Sequence, residues 1–171
     1  MTTTITDDRA DLATWRPTAT VRKWHDSAAH DAGDHPDEVL VVDGNLLLNA
    51  GITRLLNLLV GAGGQAFDAT HCRVAVGDSS TAASASQTDL QAATNKYYKL
   101  VDSVNVSGQT VTIVATYGSS QGNFAWNEWG IDVGTADGST VTTPMLNRKV
   151  ASLGTKASGS TWVITVTITI S

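Results

Sequence analysis

Cysteine, long apolar runs and clustered positive charge are all scarce in this sequence, and each shortage excludes a class of protein. The 171 residues include one cysteine, Cys72, which excludes an internal disulfide framework and a cysteine-rich zinc site. The longest apolar-rich stretch, residues 46–60, is interrupted by polar residues and is too short to cross a bilayer of about 30 Å. Stability must therefore come from packing or from assembly.

Positive charge is sparse and dispersed, which argues against a nucleic-acid partner. The net charge is −5, with 11 lysine and arginine residues against 16 aspartate and glutamate residues. Without a basic patch there is no footprint for a phosphate backbone. Residues 1–8 are polar and acidic, whereas a secretory signal peptide is basic and then apolar. We expect a protein made in a bacterial-type cytoplasm, with neither membrane nor nucleic acid as a partner.

The first 40 residues predict an extended polar N-terminal arm. They hold eight acidic side chains against four basic ones and show almost no apolar periodicity. Trp15 and Trp24 are candidate anchors on a neighbouring subunit, because tryptophan is enriched at interface hot spots. Arg16 and Arg22 belong to the same candidate interface. The alternative is that both tryptophans pack on their own domain. With a separate arm, removal of residues 1–38 is expected to leave the remainder folded.

A β-rich domain is predicted over residues 41–171, with one helix near residues 48–60. Apolar residues from Leu46 to Leu59 recur at spacings of three and four, which is typical of one helical face. Asn49 is a candidate cap, and the glycines that follow residue 60 are candidate helix stops. After this helix, β-branched residues between turn-forming residues predict strands. The candidate strands are residues 71–76, 97–106, 110–117, 124–133, 144–150 and 161–170.

Two local patterns predict how these strands are arranged. The short glycine-bearing junction between Val106 and Thr110 predicts a hairpin. From Trp162 to Ile170 every second residue is apolar, and Thr165, Thr167 and Thr169 occupy the opposite face, so one face is expected to line the core and the other to face water or a neighbouring sheet. The predicted fold class is mainly β: an antiparallel β-sandwich or barrel-like domain with one α-helix, preceded by the extended N-terminal arm.

Short motifs that suggest catalysis have more ordinary explanations. Residues 118–122 match the G-x-S-x-G string of serine hydrolases, but a strand follows where that motif needs a helix, and a plain turn is expected. Cys72 lies in an alternating strand and is expected to point inward. Glu128 is expected to accept a hydrogen bond from the backbone, Arg148 or Lys149, because an unpaired buried carboxylate is costly. We predict no enzymatic activity and no catalytic residues.

Histidines in the arm do not predict a metal site. His25, His30 and His35 recur every five residues beside aspartates, and imidazole with carboxylate is a workable zinc ligand set. A spacing of five does not place them on one helical face, and nothing nearby pre-organises the ligands. We therefore expect neither a bound metal nor a cofactor.

Five segments occur in a recognisable order. They are residues 45–52 (NLLLNAGI), 74–79 (VAVGDS), 124–131 (FAWNEWGI), 146–148 (LNR) and the closing strand 162–170. In this order they resemble small virion proteins of tailed phages, particularly phages of actinobacteria. The VGD and NEWGI elements also resemble domains of phage tail-collar and tail-fibre proteins. The resemblance implies a β-rich module that packs against other virion proteins and has no catalytic residues to carry over.

Two functional hypotheses follow, both located in the virion. The first is a capsid decoration or accessory protein that binds the lattice of the major capsid protein through its N-terminal arm. The second is a tail-associated collar, fibre or baseplate module with receptor or carbohydrate binding. Its candidate sugar-stacking residues are Tyr97, Tyr98, Trp126 and Trp129. A homo-oligomer is expected in either case, and a trimer suits a β-rich virion protein.

Overall fold

The computed structural model describes residues 14–171, which form two antiparallel five-stranded sheets and two helices. The elements in chain order are β1 (Trp15–Trp24), α1 (Ser27–Asp31), β2 (Glu38–Asp43), β3 (Leu46–Leu47), α2 (Asn49–Leu59), β4 (Cys72–Gly77), β5 (Lys96–Leu100), β6 (Ser103–Ser107), β7 (Thr110–Tyr117), β8 (Ala125–Val133), β9 (Asn147–Thr155) and β10 (Thr161–Ile170). Sheet A has the order β2-β1-β10-β7-β6, and sheet B the order β3-β9-β8-β4-β5. The predicted mainly β, sandwich-like class is confirmed.

The core is formed by the inner faces of the two sheets. In β10 the inward residues from Trp162 to Ile168 are buried, and they pack with inward residues of β7, β4 and β8. The predicted alternation in the last strand is thus confirmed as far as Ile168. Ile170 is 50% exposed, because at that end of the strand the two sheets no longer cover each other.

Sheet B is also buried on its outer face, where the chain's own loops cover it. Every residue of β4 is buried. A second small cluster forms outside the sheet where loop residues Leu90 and Met145 pack on Ala75 and Tyr98. On the outer face of sheet A, α1 and the loop after it cover only one end, where Trp24 and Thr161 are buried; the other outward residues of β1, β7 and β10 are half-buried or exposed within residues 14–171. The two outer faces of the sandwich are therefore unequal.

The predicted arm is wrong for the residues that the structure describes, because β1 lies inside sheet A. It pairs with β10 along its whole length, from Trp15↔Ile170 to Trp24↔Thr161, and with β2 on its other side. Residues 14–40 are therefore part of the sandwich, and no boundary at residue 40 separates an arm from it. Residues 1–13 lie outside the described residues.

The inward positions of β1 explain why its strand pattern is weak. They include Pro17 and Lys23 beside the small residues Ala19 and Val21. Pro17 is tolerated because β2 pairs only from Thr18 onward, so the missing N–H faces the end of the ladder. Lys23 contributes its aliphatic stem to the core while its Nζ lies 3.0 Å from Glu38 Oε2 and 4.6 Å from the Trp162 ring centre.

Helix α2 confirms the helix predicted near residues 48–60, with differences at its start. The N-cap is Leu48, which makes no side-chain capping bond, and Asn49 is already inside the helix. The preceding Leu46–Leu47 pair with β9 as strand β3. At the C-terminal end the glycines act as predicted, because Gly61 has φ +68, a conformation that L-residues rarely adopt. A second, short helix, α1, was not predicted.

The candidate strand 97–106 is two strands in different sheets. Val101 donates its N–H to Cys72 of sheet B, and Asp102 donates to Val114 of sheet A, so the chain crosses from one sheet to the other at this point. The candidate strand 144–150 begins later, at Asn147, because residues 134–146 form a covering loop. The hairpin between Val106 and Thr110 is confirmed as the two-residue β6–β7 turn. No helix in the described part of the chain is long and apolar enough to span a membrane.

Candidate functional site

A buried ion pair holds the loop of residues 78–95 on sheet B. Arg148 Nε donates to Glu128 Oε2 at 2.6 Å, and both side chains are fully buried. The Glu128 carboxylate also accepts the backbone N–H groups of Gln91 and Ala92. Arg148 donates further to the carbonyl of Thr81. The predicted Glu128–Arg148 contact is confirmed, and it has a structural role because it fixes the loop.

A second buried pair holds the loop of residues 134–146. The Arg73 guanidinium donates to both Asp132 oxygens and to the carbonyl of Ala136 and the hydroxyl of Thr142. Burial raises the pKa of Asp132 while the Arg73 guanidinium opposes that rise. Because carboxylates and cations satisfy each other here, these charges stabilise the loop layer rather than present reactive groups.

The residues that suggested chemistry are distributed over different parts of the fold. Gly118 to Gln121 form a turn between β7 and β8, and strand β8 follows, as expected for a plain turn. Cys72 is fully buried in the core as predicted, and burial raises the pKa of its thiol to about 12. Within the described residues, no group of three or more His, Cys, Asp or Glu side chains is placed to share a metal ion.

Three of the four candidate sugar-stacking aromatics are fully buried. Trp126, Trp129 and Tyr98 are 0% exposed, whereas Tyr97 is half-buried. Trp126 packs edge to face on Tyr117 and Trp162, with ring centres 4.6 and 4.8 Å apart. Because a sugar stacks on an exposed ring, the platform proposed from these residues is wrong.

Of the four predicted interface residues, Trp15 lies on the inward face of β1, and Arg16, Arg22 and Trp24 lie on its outward face. Trp24 is buried, and its indole N–H donates to the carbonyl of Asp34 at 2.8 Å. Trp15 is half-buried and donates to Asn45 Oδ1 at 3.1 Å. Both tryptophans therefore pack on their own domain, which is the alternative given for them above. Arg16 and Arg22 point outward on sheet A and are exposed.

The outward residues of sheet A form a surface made mostly of short side chains, which we call the threonine face. Strand register places Thr20 beside Thr165, Thr167 beside Thr112 and Thr169 beside Thr110. Its margin includes Arg16 and Arg22 of β1. It also includes Val39 and Val41 of β2, whose side chains are 51% and 56% exposed. The residues of the threonine face are Arg16, Thr18, Thr20, Arg22, Val39, Val41, Asp43, Ser103, Asn105, Ser107, Thr110, Thr112, Val114, Thr116, Val163, Thr165, Thr167 and Thr169.

The threonine face is suited to contact with another protein. Neither Arg16 nor Arg22 forms an ion pair with any residue in the range 14–171, and Arg22 makes one long bond of 3.5 Å to Thr165 Oγ1. Arginine is enriched in protein interfaces, where it pairs with partner carboxylates. The valines add apolar area at little entropic cost because β-branched side chains are already restricted.

A second surface, which we call the open end, lies where sheet A extends past sheet B. It contains an apolar groove of about 450 Å³. Core residues such as Ile113 and Ile168 form its floor, and Trp15, Leu55 and Phe67 are among its walls. The groove is accessible to solvent because α2 and the β6–β7 hairpin do not meet across it.

Helix α2 continues the open end as an exposed apolar ridge. Ile52, Leu56 and Leu59 lie on one side of the helix next to Leu55, which lines the groove. They are 41%, 56% and 80% exposed, and the neighbouring Val60 is 73% exposed. The sequence predicted this apolar helical face, but the described chain leaves it in contact with water. Contiguous apolar surface of this kind is typical of interaction sites.

Comparisons with protein families, with characterised proteins and with solved structures found no match to this chain.

Proposed function

We propose that this protein is a structural component of a tailed-phage virion, a decoration or accessory protein that binds the major capsid protein lattice through the threonine face. The kinship is supported by the segments that resemble small virion proteins. The observation that carries the docking mode is the inequality of the two outer faces: the chain's own loops cover sheet B, while most of the outer face of sheet A is uncovered and carries two arginines that form no ion pair within residues 14–171.

The proposed docking residues lie on a strand of the sandwich rather than on an arm. Residues 15–24 are a strand of the sandwich, so Arg16 and Arg22 reach a partner from a rigid sheet. A face made mostly of short side chains loses little conformational entropy on binding. The partner surface should carry carboxylates opposite the two arginines.

Electron microscopy of intact virions labelled with an antibody against residues 45–171 tests the location. Label distributed over the head is the expected result. Label confined to the neck, tail or tip contradicts the decoration function and supports the tail-associated alternative, to which the VGD and NEWGI segments also point.

In this chain the VGD and NEWGI segments lie on neighbouring strands, where Gly77 pairs with Glu128 and Asn127 Nδ2 donates to the carbonyl of Asp78. The two segments hold the loop of residues 78–95 on sheet B. Such a structural role suits a module used in the head or in the tail.

Substitution tests the docking face. Replacing Arg16 and Arg22 together with alanine is expected to lower incorporation into virions at least about tenfold, because buried interface arginines are frequent hot spots. Arg54→Ala is the matched control, because Arg54 lies on α2 and not on the threonine face. Its guanidinium donates to the carbonyl of Gln65 in the loop that follows α2. Equal incorporation of the double variant and the control refutes docking through this face.

A further inference from the structure

We infer that the open end is a self-association surface, on which a second copy of this chain packs with its own open end. The inference deepens the proposed function and rests on it for its setting among assembling virion subunits. Its starting point is the exposure of the apolar ridge of α2, where Leu59 is 80% and Val60 73% exposed.

The described residues of α2 and of the groove lining include no acidic group, so a second copy can pack here without like-charge repulsion between them. The protein has a net charge of −5, so two copies repel each other unless they meet through uncharged surface. Of the described residues of α2 and the groove lining, Arg54 alone is charged, and it donates to Gln65 in its own loop. Asp68, beside the groove residue Phe67, is already held by His71 at 2.8 Å. Interface cores are depleted of charge in the same way.

The shape of the open end also favours a second copy. The ridge and the groove lie side by side and share Leu55, so one surface offers both a convex and a concave apolar element. A two-fold axis places the ridge of each copy against the groove of the other, which is an isologous contact. The groove then encloses Leu56 or Leu59 of the partner copy, and its core-residue floor is shielded from water.

The molar mass of the full chain in solution tests this inference. Light scattering or sedimentation at micromolar concentration is expected to give about twice 17.9 kDa or a higher even multiple. Leu56→Lys and Leu59→Lys should each lower the mass to that of the monomer or weaken association at least about tenfold. Lysine is chosen because it is a good helix former, so α2 itself is preserved.

Val41→Lys is the matched control. Val41 and Leu56 are equally exposed, at 56%, but Val41 lies on the threonine face, and lysine is well tolerated in edge strands such as β2. The control should retain the wild-type mass. A wild-type monomer over the whole concentration range overturns the inference, as does an unchanged mass in both α2 variants.

Thiol protection provides a second measurement that does not depend on a disruptive substitution. In Leu59→Cys the new thiol should react with a maleimide slowly at high protein concentration and faster on dilution, whereas Val41→Cys should react at one rate. The native thiol does not interfere, because Cys72 is buried and its pKa is raised to about 12. Equal rates for Leu59→Cys at both concentrations overturn the inference.

Another occupant of the groove gives a distinct result. If residues 1–13 of the same chain occupy it, wild type stays monomeric and Leu12→Ser raises the fluorescence of a bound apolar dye, which overturns self-association. Virion labelling is independent of these measurements. Labelled heads with a monomeric protein refute the self-association alone, and an oligomer that is not found in virions refutes the proposed function alone.

Discussion

At the scale of single residues, the buried carboxylate of Glu128 is a sensitive position outside the apolar core. Glu128→Gln keeps the side-chain size but leaves the fully buried Arg148 without its counter-ion. Breaking one partner of a buried pair costs about 3–5 kcal/mol. We expect a loss of that size in the free energy of unfolding, measured by chemical denaturation.

The same substitution in a partly exposed pair is the control. Glu38 is 57% exposed and pairs with Lys23, and such pairs contribute about 1 kcal/mol or less. Glu38→Gln should therefore cost far less than Glu128→Gln. Similar losses for the two variants contradict the role assigned to the Glu128–Arg148 pair.

The exposed His25–Asp37 contact should make a small contribution that depends on pH. The hydrogen bond to Asp37 raises the pKa of His25, and the same bond lowers the pKa of Asp37. Because the pKa of His25 is raised, the contact stabilises the fold at pH values below the ordinary pKa of histidine. This contribution is lost as the pH rises through the pKa of His25 in the folded protein. Because the pKa of Asp37 is lowered, the contact also stabilises the fold at pH values above the ordinary pKa of aspartate. This contribution is lost as the pH falls through the pKa of Asp37 in the folded protein. The full contribution therefore lies between about pH 4 and about pH 6.5.

NMR titration of His25 provides the measurement. In Asp37→Asn the pKa of His25 should fall toward its ordinary value, because the largest cause of the rise is removed. Asp31→Asn is the control, since Asp31 contacts His30 rather than His25. An unchanged His25 pKa in Asp37→Asn refutes the contact.

At the scale of secondary-structure elements, α2 is held on sheet B by a close backbone approach at Gly51. A Cβ at this position would lie 2.1 Å from the carbonyl oxygen of Leu146. In an exposed helix, Gly→Ala stabilises by about 1 kcal/mol. Here it forces α2 away from its support, and we expect Gly51→Ala to cost at least about 1–3 kcal/mol, as for overpacking.

Gly138→Ala is the control for this substitution. A Cβ at Gly138 meets nothing within 4 Å, and the residue does not have positive φ. Thermal unfolding should show a lower midpoint for Gly51→Ala and little change for Gly138→Ala. A Gly51→Ala protein at least as stable as wild type contradicts the close approach.

At the scale of the whole molecule, the sandwich depends on the pairing of the first described strand with the last. Removal of residues 1–38 deletes β1, which lies between β2 and β10 and buries Ala19 and Val21 in the core. The expectation from composition was that this deletion leaves a folded domain. The structure predicts the opposite: the truncated chain should lose cooperative unfolding and near-ultraviolet dichroism, while the full chain keeps both. A cooperatively folded truncated chain refutes the role of β1.

Local sequence patterns predicted the elements that show strong periodicity. Strand β7 has the predicted bounds, β10 begins and ends as predicted, and α2 lies within the expected range. The Glu128–Arg148 contact was also among those expected, because a carboxylate between two tryptophans needs a partner. These features depend on alternation, helical spacing and the cost of burying charge, which neighbouring residues already determine.

Tertiary structure decided the features that depend on residues distant in the chain. Strand β1 carries a proline and a lysine at inward positions, and only its pairing with β10, about 145 residues away, makes it a strand of the core. The break between β5 and β6 has the same origin, because Val101 and Asp102 bond to different sheets.

For the candidate interaction surfaces, too, some features follow from the sequence and others only from the tertiary structure. The amino-acid sequence alone determined that α2 has an apolar face, and it predicted Arg16 and Arg22 as candidate interface residues. Only the tertiary structure decided that the apolar face of α2 is exposed, that the two arginines lie on an uncovered part of sheet A, and that both tryptophans pack on their own domain. The physical reason is that exposure depends on which distant segments cover a surface, and in this fold the covering loops lie on sheet B.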